Sequence, residues 1–185
     1  MLRLLSIFLA ISFGQKKPQD LPYSIQLFWF LMFAAIILDV VNLRIILPMI
    51  SAEWGILTIV SHSVIYYSCL ALLLLLMGFS DRINQTINST LGCGLIISLL
   101  MTPLYLIMDD IPKPPELPGL PVFIYLALNI WMLFINAHIL RHALSIHFVI
   151  GFILSLGFFI LSMLIGDWFV TDLVSETTSG SLEYD

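Results

Sequence analysis

The chain has very few charged residues. Lysine, arginine, aspartate and glutamate make up 10% of its 185 residues, whereas soluble domains carry about 25%. Hydrophobic residues make up 60%, and the mean hydropathy is +1.05. This composition excludes an ordinary soluble domain, and we expect neither a second domain nor a nucleic-acid partner.

Cysteines and catalytic motifs are also scarce. Cys69 and Cys93 are the two cysteines, and they do not form a Cys-x-x-Cys pair, so we expect no structural disulfide. The sequence contains no His-Glu-x-x-His motif, no Gly-x-Ser-x-Gly elbow and no glycine-rich phosphate loop. We therefore expect no enzymatic activity, no bound metal and no cofactor.

Long apolar stretches are abundant. Five of them lie at about 24–43, 55–79, 91–108, 120–137 and 146–165. Each is near the roughly 20 residues that a helix needs to cross about 30 Å of hydrocarbon. A lipid environment favours helices because each segment must satisfy its own backbone hydrogen bonds. The sequence predicts an all-α integral membrane bundle of five transmembrane helices.

The two ends differ from this central domain of residues 24–166. Residues 1–23 are predicted as an interfacial segment, in which Leu4, Leu5, Phe8, Leu9 and Ile11 form the apolar face of an amphipathic helix. A cleaved signal peptide is the alternative for residues 1–14. Residues 167–185 are predicted as an acidic, partly disordered tail.

The basic residues predict the orientation. Five of them fall on one side of the predicted topology, and Arg44 and Lys113 fall on the other. The positive-inside rule then favours a cytoplasmic N-terminus and an external C-terminus. We expect a bacterial inner (plasma) membrane. The five inside residues are Arg3, Lys16, Lys17, Arg82 and Arg141.

Polar residues within spans are costly, so they are the first candidates for function. Asp39 and Asn42 share a face of the first span, and Arg44 follows five residues after Asp39. One interpretation is a site that handles protons or cations. The other is a carboxylate that a basic neighbour neutralises or that hydrogen-bonds to another helix.

The histidines suggest a contact surface, and they do not suggest a metal site. His138 and His142 are four residues apart on one helix face and flank Arg141, but no acidic or cysteine ligand is near in sequence. A haem between His62 and His138 is not expected because the two would lie near opposite membrane surfaces. We predict that His138, Arg141 and His142 contact lipid headgroups or a partner protein.

Small residues recur on two spans. Gly92, Gly94 and Ser98 form a patch on the third. Such residues let helix backbones approach closely, either within the bundle or against another membrane protein. On the fifth span the stripe consists of Gly151, Ser155, Ser162 and Gly166.

Several segments together resemble the small bacterial proteins of the Yip (Ypt-interacting protein) domain family. They are Pro18-Gln19-Asp20-Leu21-Pro22-Tyr23, Gln85-Thr86 followed by Leu91-Gly92-Cys93-Gly94, Pro103, and Ala137-His138-Ile139-Leu140-Arg141-His142-Ala143. The resemblance implies a five-span bundle with a cytosolic N-terminus. Eukaryotic members act in membrane trafficking with small GTPases. This chain lacks their Asp-Leu-Tyr-Gly-Pro type of motif, so GTPase binding is not carried over.

The leading functional prediction is a non-enzymatic scaffold or accessory subunit, with a membrane-protein partner or as a homo-oligomer. The alternative is a small oligomeric channel or transporter that uses Asp39. A third option is an intramembrane enzyme acting on lipid-linked substrates, which would need a carboxylate such as Asp81 beside His138 and His142.

Overall fold

The structure, a computed structural model, describes residues 2–48, 51–109 and 119–181. Within these residues it is all-α and contains no strand. Two short 3₁₀ turns lie at Pro18–Asp20 and Ser80–Arg82. The helices are α1 (Leu2–Ser12), α2 (Ile25–Ile46), α3 (Ala52–Leu76), α4 (Ile83–Asp109), α5 (Leu120–Leu144) and α6 (Phe148–Ser181).

The last five helices are each long and apolar enough to cross a membrane. The predicted all-α class with five such helices is confirmed, and the chain is a multi-pass membrane protein. Many large apolar side chains on the outer helix faces are exposed, including Trp29, Phe33 and Leu76. These faces suit contact with lipid, which solvates apolar side chains as well as protein does.

Local sequence explains where the helices begin and end. Ser24 caps α2 by accepting a hydrogen bond from the Leu27 N–H at 3.1 Å. α3 ends at Leu76, and Gly78 just beyond it has a φ of 80°, which suits glycine. There the Phe79 N–H donates to the Leu74 carbonyl at 2.8 Å. α5 ends at Leu144, and the next residue, Ser145, adopts a left-handed conformation with φ of 55°.

Three helices extend well beyond the spans that the sequence predicted. α4 begins at Ile83, eight residues before the predicted span at 91, because the polar residues from Asn84 to Thr90 are themselves helical. α6 runs to Ser181, through most of the predicted disordered tail, and no proline interrupts it. Residues 182–185 of that tail lie outside the described residues. α5 likewise continues past position 137 to Leu144.

α4 is the central helix and packs against α1, α2, α3 and α5, while α6 packs mainly against α5. The most deeply buried side chains lie where α1 and the Pro18–Asp20 turn meet the start of α4 and the end of α5. Ile11, Leu21 and Leu91 belong to this core. This core holds α1 and the Pro18–Asp20 turn against α4 and α5 at one end of the bundle.

α1 contributes directly to this core. The predicted apolar face of α1 is divided: Phe8 and Ile11 are buried against the bundle, whereas Leu5 and Leu9 are exposed. A Cβ atom at Gly92 would overlap the Phe8 ring, so glycine is what allows α1 to lie directly on α4. α1 is therefore partly an internal element of the bundle.

Candidate functional site

A chain of polar side chains joins α2 to α4 within the apolar part of the bundle. Ser98 donates a hydrogen bond to the Asp39 carboxylate at 3.2 Å, and Asn42 donates to the Ser98 hydroxyl at 2.9 Å. Thr102 donates to the Asn42 side-chain carbonyl at 2.8 Å. Asp39 and Asn42 share a face, as their spacing predicted. The interpretation of Asp39 as hydrogen-bonded to another helix matches this geometry.

Arg44 does not lie within this buried chain of side chains. It is exposed in the last turn of α2. Position 44 is five residues from Asp39, which corresponds to about 500° of rotation, so the two side chains lie on different helix faces. The grouping of Arg44 with Asp39 and Asn42 as one site stays a prediction.

A second polar pair joins α3 to α6. The His62 Nε2 and the Ser162 hydroxyl are 2.8 Å apart and share a hydrogen bond. The Tyr66 ring stacks on His62 with an angle of 18° between the planes, and its edge meets Phe158. The His62 ring is therefore held by two contacts: the hydrogen bond with Ser162, and the stacking of Tyr66, which lies one helical turn away.

These two clusters face a common cavity of 220 Å³ in the bundle interior. Liquid water occupies about 30 Å³ per molecule, and a protein cavity of about 150 Å³ can bind benzene. The space therefore suits a small molecule or several waters. Residues from all five long helices line it: Ala35, Asp39, His62, Ser63, Tyr66, Tyr67, Thr90, Leu91, Gly94, Leu95, Ser98, Met132, Leu133, Asn136, Phe158, Phe159 and Ser162.

The lining carries one carboxyl group and, within the described residues, no lysine or arginine. Asn136 adds an amide from α5, and no hydrogen bond in the described part of the chain engages its side chain. The cavity thus offers a carboxylate, hydroxyl groups and aromatic rings to a ligand. Such a set can bind a small cation, because oxygen atoms and ring faces both attract positive charge.

The small-residue positions are used mostly inside the bundle. A Cβ at Gly151 would lie 2.7 Å from the Ala137 carbonyl oxygen of α5. Ser155 is buried and donates to the Leu133 carbonyl at 2.9 Å. Ser162 shares a hydrogen bond with His62, as described above. Gly94 lies beside Met132, whereas a Cβ at Gly166 would meet no atom of the described residues within 4 Å.

The contact surface predicted for His138, Arg141 and His142 lies near the end of α5. The His138 and His142 rings pack edge to face with centroids 4.6 Å apart. His138 Nε2 is 2.9 Å from the Lys16 carbonyl, so this ring fastens the N-terminal segment. Arg141 is exposed. Among the described residues, no group of three or more His, Cys, Asp and Glu could hold a metal ion.

The N-terminal segment is also bound to α4. Gln85 donates from its amide to the Leu21 carbonyl at 2.9 Å, and Asn88 donates to the Ser24 carbonyl at 3.2 Å. Both side chains project from within α4 and donate hydrogen bonds to backbone carbonyl groups of the irregular segment.

Sequence reasoning identified Asp39, Asn42 and Ser98 but missed Thr102, Ser162 as a partner of His62, and Asn136. The signal available was their polarity within apolar stretches. Which of them meet depends on the rotation and depth of each helix. That information is not present in any one span.

The chain was compared with protein-family models, with curated proteins and with solved structures. None matches it. The resemblance to Yip-domain proteins therefore stays a prediction from the sequence.

Proposed function

We propose that the protein binds a small monovalent cation in the cavity at Asp39 and moves it across the membrane. The observation that carries this proposal is that one carboxyl-bearing cavity is lined by all five long helices. Any change in the packing of those helices alters the cavity. A site with that property is suited to transport.

The charge of the site supports a cationic ligand. A carboxylate within a membrane span is costly unless it is paired or protonated. Ser98 supplies one hydrogen bond to Asp39 but no positive charge. A proton, a metal ion or a small amine would supply that charge. The rings of Tyr66 and Tyr67 add electron-rich faces for an organic cation.

Five spans do not divide into two equal inverted repeats, which many secondary transporters have. The proposal therefore places one binding site in each chain and specifies no number of chains in an oligomer. It assigns no chemical reaction to the protein. The prediction that the chain is not an enzyme is kept as part of this proposal.

Flux measurements in liposomes test the proposal. The purified protein is reconstituted, and uptake of protons, Na⁺, K⁺ and methylammonium is followed for the native chain and for Asp39→Asn. Asparagine keeps the size of the side chain and an oxygen that Ser98 can donate to. We expect a flux above protein-free liposomes for at least one probe, and its loss in Asp39→Asn.

Glu53→Gln is the matched control, because it also removes one carboxylate but lies exposed in the first turn of α3. It should leave the flux unchanged. Circular dichroism and gel filtration establish that both variants fold. A native flux that persists in Asp39→Asn, or no flux for any of the four probes, would contradict the proposal.

The scaffold hypothesis is kept as a second proposal on one observation. Among the described residues, Gly166 has no neighbour within 4 Å of a Cβ position, which supports an open contact for another helix at this part of the α6 stripe. Purification in a mild detergent, with mass spectrometry of bound proteins, should recover a stoichiometric partner. Gly166→Leu should lose that partner and stay folded; retention of it would exclude Gly166 as the contact.

We also propose the predicted placement in a bacterial inner membrane with the N-terminus inside. The grouping of Lys17, Arg82 and Arg141 around one cleft supports it, since cytoplasmic ends of membrane helices are enriched in basic residues. Labelling of single cysteines added at positions 16 and 145 with a membrane-impermeant reagent tests the topology. Labelling of either in intact cells would overturn it.

A further inference from the structure

A basic cleft lies at the end of the bundle where α4 starts and α5 ends. Its volume is 460 Å³. Lys17 comes from the N-terminal segment, Arg82 from the turn before α4, and Arg141 from the last turn of α5. Three of the seven lysine and arginine residues of the chain therefore converge on one cleft. Nothing in their sequence spacing predicts this convergence.

Arg82 is held in place before any ligand binds. Its Nη1 donates to the carbonyl oxygens of His142 and Ala143 at 3.1 and 2.9 Å, and to the Ser145 hydroxyl at 2.7 Å. The guanidinium also lies 4.7 Å from the centre of the Phe79 ring. No hydrogen bond in the described residues uses Nε or Nη2. Its side-chain entropy is thus already lost, and two nitrogen atoms stay available.

The nearest carboxylates do not line the cleft. Asp20 accepts a hydrogen bond from the Lys17 backbone N–H at 2.9 Å, which holds it to the 3₁₀ turn. Asp81 precedes Arg82 and is exposed. The lining therefore consists of three cationic side chains with Gln19, His142, Ser145 and Ile146, and no acidic side chain among the described residues belongs to it. An anion is the complementary ligand.

The position of the cleft points to a lipid. It is bounded by the turn before α4, by the end of α5 and by the short connection between α5 and α6, where long apolar helices begin or end. In a membrane this level corresponds to the headgroups. Arginine and lysine bind phosphate oxygens by charge-assisted hydrogen bonds, and anionic lipids attract basic residues at this depth.

We propose that this cleft binds the phosphate group of an anionic phospholipid. Arg82 acts as the fixed donor, and Lys17 and Arg141 complete the site from their exposed positions. The bound headgroup joins the N-terminal segment to the α5–α6 connection. This site is separate from the Asp39 cavity and does not depend on the transport proposal.

Native mass spectrometry of the detergent-solubilised protein tests this site. Phosphatidylglycerol and phosphatidylcholine with identical acyl chains are titrated separately, and inorganic phosphate is added in a third series. The test variant is Lys17→Gln with Arg141→Gln. The control is Arg3→Gln with Lys16→Gln, which removes the same charge from exposed residues outside the lining.

We expect the native protein to retain one phosphatidylglycerol more tightly than phosphatidylcholine. Each basic residue near an anionic surface contributes about 1 kcal/mol, so the test variant should lose roughly tenfold or more in phosphatidylglycerol affinity. The control should change by less than about threefold. Circular dichroism verifies that both variants keep their helices.

Three results would overturn the proposal. The first is equal affinity of the native protein for the two lipids. The second is an equal loss in the test and control variants. The third is binding of inorganic phosphate as tight as that of phosphatidylglycerol, which would assign the cleft to a soluble phosphate compound.

Discussion

Replacement of Gly151 by alanine should weaken the packing of α6 on α5. A Cβ at this position would lie 2.7 Å from the Ala137 carbonyl oxygen and 3.2 Å from the Arg141 nitrogen. Both are backbone atoms, so neither can rotate away. Close carbon–oxygen contacts are about 3.3 Å, and α6 would therefore have to move by roughly 0.6 Å. Overpacking of this kind costs about 1–3 kcal/mol.

Gly157→Ala is the matched control on the same helix, because a Cβ there would meet no atom within 4 Å in the part of the chain that the structure describes. Both substitutions gain the same helix propensity, about 1 kcal/mol. The difference between the two variants therefore isolates the contact, and we expect Gly151→Ala to be less stable by about 1–3 kcal/mol.

The measurement is reversible unfolding in mixed micelles with increasing dodecyl sulfate, followed by circular dichroism. The free energy of unfolding is compared for the native chain and both variants. Equal stability of Gly151→Ala and Gly157→Ala would refute the close approach of α5 and α6. A loss in both variants would show that glycine itself matters, independently of the neighbouring helix.

Two other predictions concern contacts between helices. A double-mutant cycle of Asn42→Ala and Thr102→Ala, measured in the same unfolding assay, should give a coupling energy near the average of about 0.6 kcal/mol for hydrogen bonds between membrane helices; additive effects would mean that the bond contributes nothing. Phe8→Ala should raise amide hydrogen exchange in α1 about tenfold or more, because it removes the buried ring that lies on Gly92. Leu5→Ala, at a 49% exposed side chain, is its control and should have little effect; similar exchange in both variants would contradict the docking of α1.

The five long helices could be predicted because hydropathy alone identifies them. Their ends could not, as α4 shows. Asn88 is fully buried within that helix and donates to the Ser24 carbonyl, which compensates the cost of burying its amide nitrogen. Hydropathy assigns such a residue to a loop. The acceptor of that hydrogen bond lies in the N-terminal segment, more than sixty residues earlier, so the sequence around Asn88 does not reveal it.

The candidate site was predictable in part for a similar reason. Asp39 and Asn42 stand out because each is polar within an apolar span, and their spacing places them on one face. Their partners on α4 could not be chosen from the sequence. Ser98 was recognised as a small residue, but its role as the donor between Asp39 and Asn42 depends on the depth at which α2 and α4 pack.

The use of the small residues bears on how another membrane protein could bind. Gly151 and Ser155 contact the backbone of α5, and Ser162 shares a hydrogen bond with His62 of α3. A partner could reach these positions only if α6 left its neighbours, which would also break the wall of the Asp39 cavity. Lipid gives helices no hydrophobic reason to exchange one such contact for another. A partner of the intact bundle would therefore bind at an outer surface, such as that around Gly166, whereas Ser162 of the inner stripe forms part of the cavity lining.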